Sequence, residues 1–530
     1  MKLTEFLAQT FGFQDFRSPQ VKVIKSAIKG YDLLVVLPTG SGKSICYQLP
    51  ALIQTGISII ISPLKSLIKD QLVNLESKGI PAVGFYGNTS PKEKAQIIKD
   101  MQTTDCPYNI IYTTPETIDT NITFAAALTA LNNSNRLRRF VIDEAHCISL
   151  WGNDFRPAYR KLHEIRTYYP GVPIMALTAT ATKVVQADII ELLKFKAYKI
   201  YTKSYFRSNL NISITNKSTN QAKHLANVYS CILRNNFQEQ SGIIYCNTRK
   251  NCELLGEYLS SRGIQAAAYH AGFTTKKKTL LETQWRGNEL NIIVATVAFG
   301  MGIDKPDVRF ILHNNIPFSL ENYYQEIGRA GRDGLPSTCI LFYADKDRLM
   351  AIRLINFTTA QNIGTKAEFE NRKIHKKHLL DKLDTIARFC EHTGECRHNI
   401  ISQYLGESTS IPCGEHCDNC LSKSSKREKD ITVDAGHILR IIVKLKMRAT
   451  LGAIKASFWM NHKVEYLKQF NYKYQVLEYI SAVIRYLRNN KYIKEVVRKH
   501  SSGYGSIQLY RIYKKGALVI NGSECVSMNV

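Results

Sequence analysis

No run of about 18 consecutive apolar residues occurs in the chain, so the sequence lacks the ordinary signature of a membrane-spanning helix. The opening residues, Met1-Lys2-Leu3-Thr4-Glu5, lack the charged-then-apolar pattern of a secretion signal, and the protein is expected to stay inside the cell. Acidic residues are scarce beside basic ones: 44 Asp and Glu face 71 Lys and Arg, a formal net charge of +27. That imbalance disfavours a basic ligand and favours a polyanionic one, whether DNA, RNA or an acidic surface. The 13 cysteines are an odd count for a chain expected in a reducing compartment, which argues against a disulfide framework. Cys46, Cys106, Cys147, Cys231, Cys246, Cys252, Cys339 and Cys525 are scattered among small or apolar neighbours and read as packing residues. There is no internal repeat and no long low-complexity tract.

What the sequence does contain is alternation. At 530 residues it exceeds a single core, and three or four domains are expected. From Asp32 onward, short apolar runs at 33–37, 58–61, 109–112, 140–142 and 174–177 alternate with helical stretches. The runs are continuously apolar, as strands buried on both faces of a parallel sheet must be. The pattern restarts after about Phe206, with runs at 242–246, 266–269, 291–295, 309–313 and 338–342. Two successive α/β lobes follow, 1–205 and 206–347. Helical patterns then take over in 348–425, and Lys423-Ser424-Ser425-Lys426-Arg427-Glu428-Lys429 reads as a linker. In 426–530, helical patterns that include 476–487 precede two strand-like runs, 492–497 and 507–513. Helices followed by a hairpin suggest a winged helix.

The first lobe carries a phosphate-binding loop. The strand at 33–37 leads into Pro38-Thr39-Gly40-Ser41-Gly42-Lys43-Ser44, and a helix starts at Ile45. Glycines let backbone amides wrap phosphates, and the helix N-terminus adds partial positive charge. Lys43 is placed to reach the β- and γ-phosphates of ATP, and the Ser44 hydroxyl to bind Mg²⁺. The strict motif wants Gly where Leu37 stands. Downstream, Asp143-Glu144-Ala145-His146 follows the strand at 140–142. Asp143 is the expected second Mg²⁺ ligand, and Glu144 the group that orients and activates the attacking water. An acidic pair at a strand end can also simply cap a helix.

In the second lobe, Gln325-Glu326-Ile327-Gly328-Arg329-Ala330-Gly331-Arg332 presents two arginines three residues apart. Arg329 and Arg332 suit stabilisation of a transferring phosphoryl group from across a cleft. With Ala295-Thr296-Val297-Ala298-Phe299-Gly300-Met301-Gly302-Ile303-Asp304 before them, they resemble motifs five and six of a helicase. Phe11-Gly12-Phe13, Phe16-Arg17 and Gln20 precede the phosphate loop. Ile61-Ser62-Pro63-Leu64-Lys65-Ser66-Leu67, Tyr112-Thr113-Thr114-Pro115-Glu116, Ala176-Leu177-Thr178-Ala179-Thr180-Ala181 and Gly242-Ile243-Ile244-Tyr245-Cys246 follow in order. From about Phe11 to Cys420 the chain thus resembles the RecQ family of superfamily-two DNA helicases, closest in layout to its short eukaryotic members. The resemblance implies two tandem RecA-like parallel-sheet lobes, a helical zinc-binding subdomain and a winged-helix domain. It also implies that Gln20 recognises adenine with Arg17 near the base, and that Asp304 belongs to the nucleotide site.

Cys147-Ile148-Ser149-Leu150-Trp151-Gly152-Asn153-Asp154-Phe155-Arg156-Pro157 resembles the family's aromatic-rich loop, which senses single-stranded DNA and signals to the ATP site. Trp151 and Phe155 can stack on bases, and Arg156 can meet a phosphate or base face. The family generally has Gln where Leu150 stands and His where Asn153 stands, which puts the strength of coupling in question. Cys413, Cys417 and Cys420 form CxxxCxxC, and Cys396 lies upstream. Four thiolates suit a tetrahedral, structural Zn²⁺. Cys390, His392, His398 and His416 compete with Cys396 for the fourth place. Tyr504, between Gly503 and Gly505, is either a strand-separating wedge or an ordinary turn tyrosine. Lys491, Lys494, Arg498, Lys499 and Lys514 suit phosphate contacts or a solvated basic face.

The family likeness implies ATP-driven 3′-to-5′ movement on DNA and substrates with single-stranded 3′ tails, forks or recombination intermediates. A nuclear location is expected if the source is eukaryotic, and a cytoplasmic one otherwise. An RNA helicase sharing the motor, or a strand-annealing protein with a weakly coupled ATPase, are the rival readings.

Overall fold

Apolar, β-branched runs have few places to go except the middle of a sheet covered on both sides, and that is where they fold. The computed structural model describes residues 2–149, 156–297, 299, 305–360, 366–408, 413–422, 428–446, 449–470, 472–499 and 506–529. It divides into one unit of Met1–Cys390 with Glu395–Cys420, and a second of Glu391–Gly394 with Leu421–Val530. Among the described residues no helix is long and apolar enough to cross a membrane.

In the first unit, the N-terminal sheet is built from β1 (Asp32–Val36), β2 (Ile57–Ile61), β3 (Ala82–Phe85), β4 (Ile110–Thr113), β5 (Leu137–Ile142), β6 (Ile174–Thr178) and β7 (Tyr198–Thr202). Their spatial order is β3-β4-β2-β5-β6-β1-β7, and every pairing is parallel. Parallel neighbours need crossover connections, which the intervening helices supply. The order places β5, β6 and β1 side by side. The loops leaving their carboxyl ends are therefore neighbours along one edge of the sheet, where ligands of open α/β sheets bind.

The second sheet comprises β8 (Leu210–Asn216), β9 (Gly242–Tyr245), β10 (Ala266–Tyr269), β11 (Ile292–Ala295), β12 (Phe310–His313) and β13 (Ser337–Tyr343). It is again parallel throughout, in the order β10-β11-β9-β12-β13-β8. The two-lobe expectation is met, and both sheets contain strands the apolar runs did not signal. β7 lies at a sheet edge with most of its side chains exposed, so it carries no continuous apolar run. β3 includes Gly84, and β8 mixes polar residues into a half-buried pattern. Helices Asp345–Ala360, Lys366–Glu391, Arg397–Tyr404 and Asp418–Leu421 follow, in keeping with the expected helical stretch.

Beneath the N-terminal sheet lies a buried charge that the strand pattern conceals. Asp32 opens β1, accepts hydrogen bonds from the backbone N–H of Ile174 (2.7 Å) and of Lys196 (2.8 Å), and pairs with Arg166 at 2.6 Å. Both partners are buried, at 4% and 6% exposure. Removing one member of such a pair leaves the other charged and unsolvated, so Asp32→Ala is expected to cost about 3–5 kcal/mol. Urea denaturation measures it; a loss below about 1 kcal/mol would show that Arg166 finds another partner.

In the second unit, helices Thr432–Leu445, Leu451–Leu467 and Lys473–Asn489 pack through Ile438, Leu439, Ile454, Phe458, Ile480 and Leu487. Buried Asp434 accepts hydrogen bonds from the hydroxyls of Tyr466 and Tyr479. Helix Lys514–Ile520 and four short strands complete it: β14 (Glu428–Asp430), β15 (Ile493–Lys499), β16 (Ser506–Ile512) and β17 (Ser527–Asn529). β15 and β16 form an antiparallel pair, and β14 pairs antiparallel with β17. The helices-then-hairpin order is the one the sequence suggested. Tyr504 lies outside the described residues.

Candidate functional site

The phosphate loop begins where β1 runs out. Every residue of β1 is buried, and the Leu37 N–H donates to the Thr178 carbonyl (3.0 Å), tying the loop's root to the end of β6. Gly40 and Gly42 have φ of 77° and 74°, a left-handed backbone that other residues adopt at a cost. A Cβ at Gly42 would also stand 2.5 Å from the side-chain nitrogen of Gln20. Gln20 donates to the carbonyls of Gly42 (2.9 Å) and Ser41 (3.3 Å), and its own oxygen accepts the Arg17 N–H at 2.7 Å. Arg17 in turn donates to the Gly40 carbonyl at 2.5 Å. Arg17 and Gln20 thus hold the loop's carbonyls from one side. Helix Ile45–Ile53 starts directly after Ser44.

Lys43 is half-buried, with Nζ 3.2 Å from the Leu37 carbonyl. Burial lowers its pKa, and the charges of Glu144 and Asp143 work against that shift. Those carboxylates follow β5, which β6 alone separates from β1. Burial and the adjacent Glu144 push the Asp143 carboxyl up to about 7, against the pull of Lys43. A buried carboxylate under this pressure is a fitting donor for a divalent cation, whose charge would keep it ionised. Glu144 takes a left-handed backbone, φ 50°. Burial opposes its ionisation, but the hydrogen bond and charge of His146, with Lys43 and Arg329, leave it below its ordinary pKa. His146 Nδ1 lies 3.2 Å from the Glu144 carboxylate and 2.9 Å from the Thr178 hydroxyl. Glu144 therefore remains a carboxylate, as a group that accepts a proton from water must be.

The second lobe closes on this edge. Helix Leu320–Ile327 is capped by the Ser319 hydroxyl and ends at the turn holding Arg329 and Arg332. A Cβ on Gly40 would stand 3.4 Å from the Arg332 side chain, and one on Gly328 would run into the Thr39 hydroxyl. Gln325 donates to the Thr180 hydroxyl at 3.3 Å, joining the arginine-bearing helix to the loop after β6. The charge of Arg332 is felt at Lys43, and that of Arg329 at Glu144. Thr39, Gly40, Lys43, Asp143, Glu144, Arg329 and Arg332 thus come together from the two lobes, with Pro38, Ser41, Gly42 and Ser44 in the same loop as Lys43. Such a constellation has the chemistry to bind a triphosphate, present a base to water and neutralise charge as it develops.

Several contributors were not among the residues singled out from sequence. His146 closes the Asp143-Glu144-Ala145-His146 stretch, and Thr178 lies within Ala176–Ala181. Tyr159, whose hydroxyl donates to the Asp143 carbonyl at 2.9 Å, had no local signal at all. Asp304, Leu150, Trp151, Asn153 and Phe155 lie outside the described residues. Arg156 is half-buried and donates to the Pro63 carbonyl at 2.6 Å, while its N–H meets the Cys147 carbonyl at 3.1 Å. It pins the exit of the aromatic-rich loop to the segment after β2.

The second site is the thiolate cluster. The sulfurs of Cys396, Cys413, Cys417 and Cys420 all lie within 4.8 Å of one another. Cys413 and Cys417 are 3.6 Å apart, and Cys417 and Cys396 4.0 Å. Four sulfurs at about 2.3 Å from a tetrahedral zinc ion are separated by about 3.8 Å, so the cage fits. The rivals are engaged elsewhere. His398 has its Nε2 3.1 Å from both the Leu210 and His416 carbonyls, and His416 has Nδ1 3.0 Å from Asn211. His392 accepts the Gly394 N–H, and Cys390 is not part of the cluster. The cage is braced against the second sheet, because Asp418 pairs with Arg397 and accepts the Ile214 N–H from β8 at 3.0 Å.

Comparison with known proteins agrees with this geometry. A DEAD/DEAH box helicase model matches residues 17–187, a helicase conserved C-terminal domain model 223–334, and a RecQ zinc-binding model 350–421. The chain is 39% identical to the RecQ-like DNA helicase BLM of Xenopus laevis over 83% of its own length and 32% of that protein. It is 33% identical to the ATP-dependent DNA helicase Q1 of Pongo abelii over 100% of its own length and 79% of that protein. Several relatives are much longer, and the chain spans from about a third to about half of their length. Among solved structures, the DUF1998 helicase MrfA bound to DNA shares the fold, with a TM-score of 0.55 at 18% identity over 68% of this chain and 53% of that one. The helicase-core matches and the thiolate cage assign ATP with Mg²⁺, and Zn²⁺, as cofactors.

Proposed function

The chain belongs to the RecQ helicase family, and from that premise we propose that it is an ATP-dependent DNA helicase that moves 3′-to-5′ on single-stranded DNA and separates duplex strands. The observation that carries this reading is the meeting of Arg329 and Arg332 from one lobe with the phosphate loop and acid pair of the other. A site split between two lobes can convert hydrolysis into relative lobe movement, because completing it closes the cleft and losing the γ-phosphate releases it.

In this reading Lys43 and the amides of residues 38–44 bind the triphosphate, Gln20 and Arg17 face the base, and Asp304 belongs to the nucleotide site. Ser44 and Asp143 hold Mg²⁺, which supplies charge neutralisation at the phosphates. Glu144 takes the proton of the attacking water, and Arg329 and Arg332 neutralise charge on the transferring group. Trp151, Phe155 and Arg156 read the single strand, and Tyr504 contacts DNA as a strand-separating wedge. We assign 1–205 and 206–347 to the two motor lobes, 348–425 to the zinc-binding subdomain and 426–530 to the winged helix. The substrates are 3′-tailed duplexes, forks or recombination intermediates, and the net charge of +27 suits them. For a eukaryotic source the location is the nucleus.

The test is ATP-dependent unwinding of a 3′-tailed DNA duplex beside a 5′-tailed one. Selective separation of the 3′-tailed substrate is expected. DNA-stimulated hydrolysis without strand separation would instead favour an annealing or remodelling role, the reading that Leu150 and Asn153 support. Stimulation by RNA alone would point to an RNA helicase.

A further inference from the structure

The turn carrying Arg329 and Arg332 follows the C-terminus of helix Leu320–Ile327, where the last carbonyls have no partners within the helix. Those of the turn are met by one side chain from the start of the second lobe. Arg207 donates to the carbonyls of Gly328 (3.1 Å), Ala330 (3.0 Å) and Gly331 (2.6 Å). Asn209 adds bonds to Gly331 (2.9 Å) and Leu335 (3.0 Å). Gly331 takes φ 54°, and a Cβ there would collide with the Asn209 amide. The segment bearing these two residues is itself fixed. The Tyr205 N–H donates to Glu407 at 2.5 Å, and the Tyr205 carbonyl accepts the Tyr324 hydroxyl at 3.0 Å.

The same turn meets the phosphate loop through Gly328 against Thr39 and Arg332 against Gly40. Its backbone is thus held by Arg207 while its arginine side chains reach the other lobe. Burial lowers the Arg207 pKa, but a guanidinium stays protonated in proteins, so its hydrogen bonds are charge-assisted. We infer that Arg207 is a positioning residue for hydrolysis: through three carbonyls it sets where Arg329 and Arg332 stand relative to the phosphates. Asn209 supports it. This rests on the helicase reading only in taking those arginines as the groups that stabilise the transferring phosphoryl.

A purely structural cap would change stability and leave the chemistry proportionate to the folded fraction. A positioning residue changes kcat at constant KM, since a displacement near 1 Å costs about 100-fold. In steady-state ATPase assays on the full chain with single-stranded DNA, Arg207→Ala is expected to lower kcat about 30- to 100-fold. KM for ATP should stay within about threefold, and Arg207→Lys, which keeps the charge and part of the bonding, should recover part of the rate. The decisive arm adds Arg207→Ala to a chain carrying both Arg329→Ala and Arg332→Ala. If Arg207 acts through that turn, this triple variant is no slower than the Arg329→Ala/Arg332→Ala chain. Multiplying losses, or an unchanged kcat in Arg207→Ala, would overturn the inference. Should Arg207→Ala fail to fold, Arg207→Lys and Asn209→Ala carry the same cycle. A wild-type chain lacking DNA stimulation counts against the helicase reading instead, and the cycle is then read on basal hydrolysis.

Discussion

Replacing Glu144 with glutamine is expected to lower ATP hydrolysis by about 10²–10⁴-fold and abolish unwinding, while ATP still binds. The amide matches the carboxylate in size and keeps one acceptor oxygen, so the left-handed backbone at this position and the neighbouring helix need not move. What disappears is a base. His146, Lys43 and Arg329 keep Glu144 below its ordinary pKa, and a group held ionised beside a triphosphate site is one that can take a proton from water. Lys43 and the loop amides are untouched, so nucleotide affinity measured with a fluorescent ATP analogue should change little. Burial and the adjacent Glu144 both raise the Asp143 pKa, and the variant removes the second of these, which favours retention of the Mg²⁺ ligand. Hydrolysis within tenfold of wild type would mean that another group activates the water.

The parts of this site that were legible in the sequence are those whose residues are consecutive. The loop from Pro38 to Ser44, the Asp143-Glu144 pair and the Arg329–Arg332 turn each declare themselves within a few positions, because phosphate and metal chemistry demand fixed residue types at fixed spacing. Central strands were legible for a related reason: burial on both faces disfavours polar residues without partners, so β1 after Asp32 and β2 apart from Ser58 read as apolar runs. β7 escaped because an exposed edge imposes no such rule. Contacts between distant segments were invisible as well. Gln325 and Thr180 are separated by 145 positions, and Arg207 and Gly328 by 121. Neither pair has a local pattern to betray it, since glutamine, threonine and arginine are all ordinary surface residues. The zinc cage lies between these cases. CxxxCxxC announced three ligands, but the fourth was a choice among Cys390, Cys396, His392, His398 and His416, and only the three-dimensional placement of the sulfurs decided it.

That placement leads to the other large effect. Stripping zinc with a strong chelator is expected to unfold the region around Cys396–Cys420 cooperatively, because the ion supplies folding free energy that this segment has little other means of replacing. Structural zinc binds with apparent energies of about 10–16 kcal/mol in small zinc-binding peptides, comparable to the whole stability of a typical domain. The damage should not stop at the cage. His416 accepts the Ile212 N–H, Asp418 accepts the Ile214 N–H, and Arg397 is bound to Asp418, so the loop that zinc organises also covers the edge strand β8. Limited proteolysis after chelation should therefore open cuts in 391–422 first and then within 207–217, while cleavage in the N-terminal sheet stays at its original rate. Metal analysis should find one zinc per chain in the wild type and none in Cys417→Ser, whose sulfur lies 3.6 Å from Cys413 and 4.0 Å from Cys396. Cys396→Ser is expected to lose the ion as well, whereas Cys390→Ser and Cys525→Ser keep it. If Cys390→Ser released zinc and Cys396→Ser held it, the cage would have to be rebuilt around a different fourth sulfur, and the bracing of β8 would need another origin.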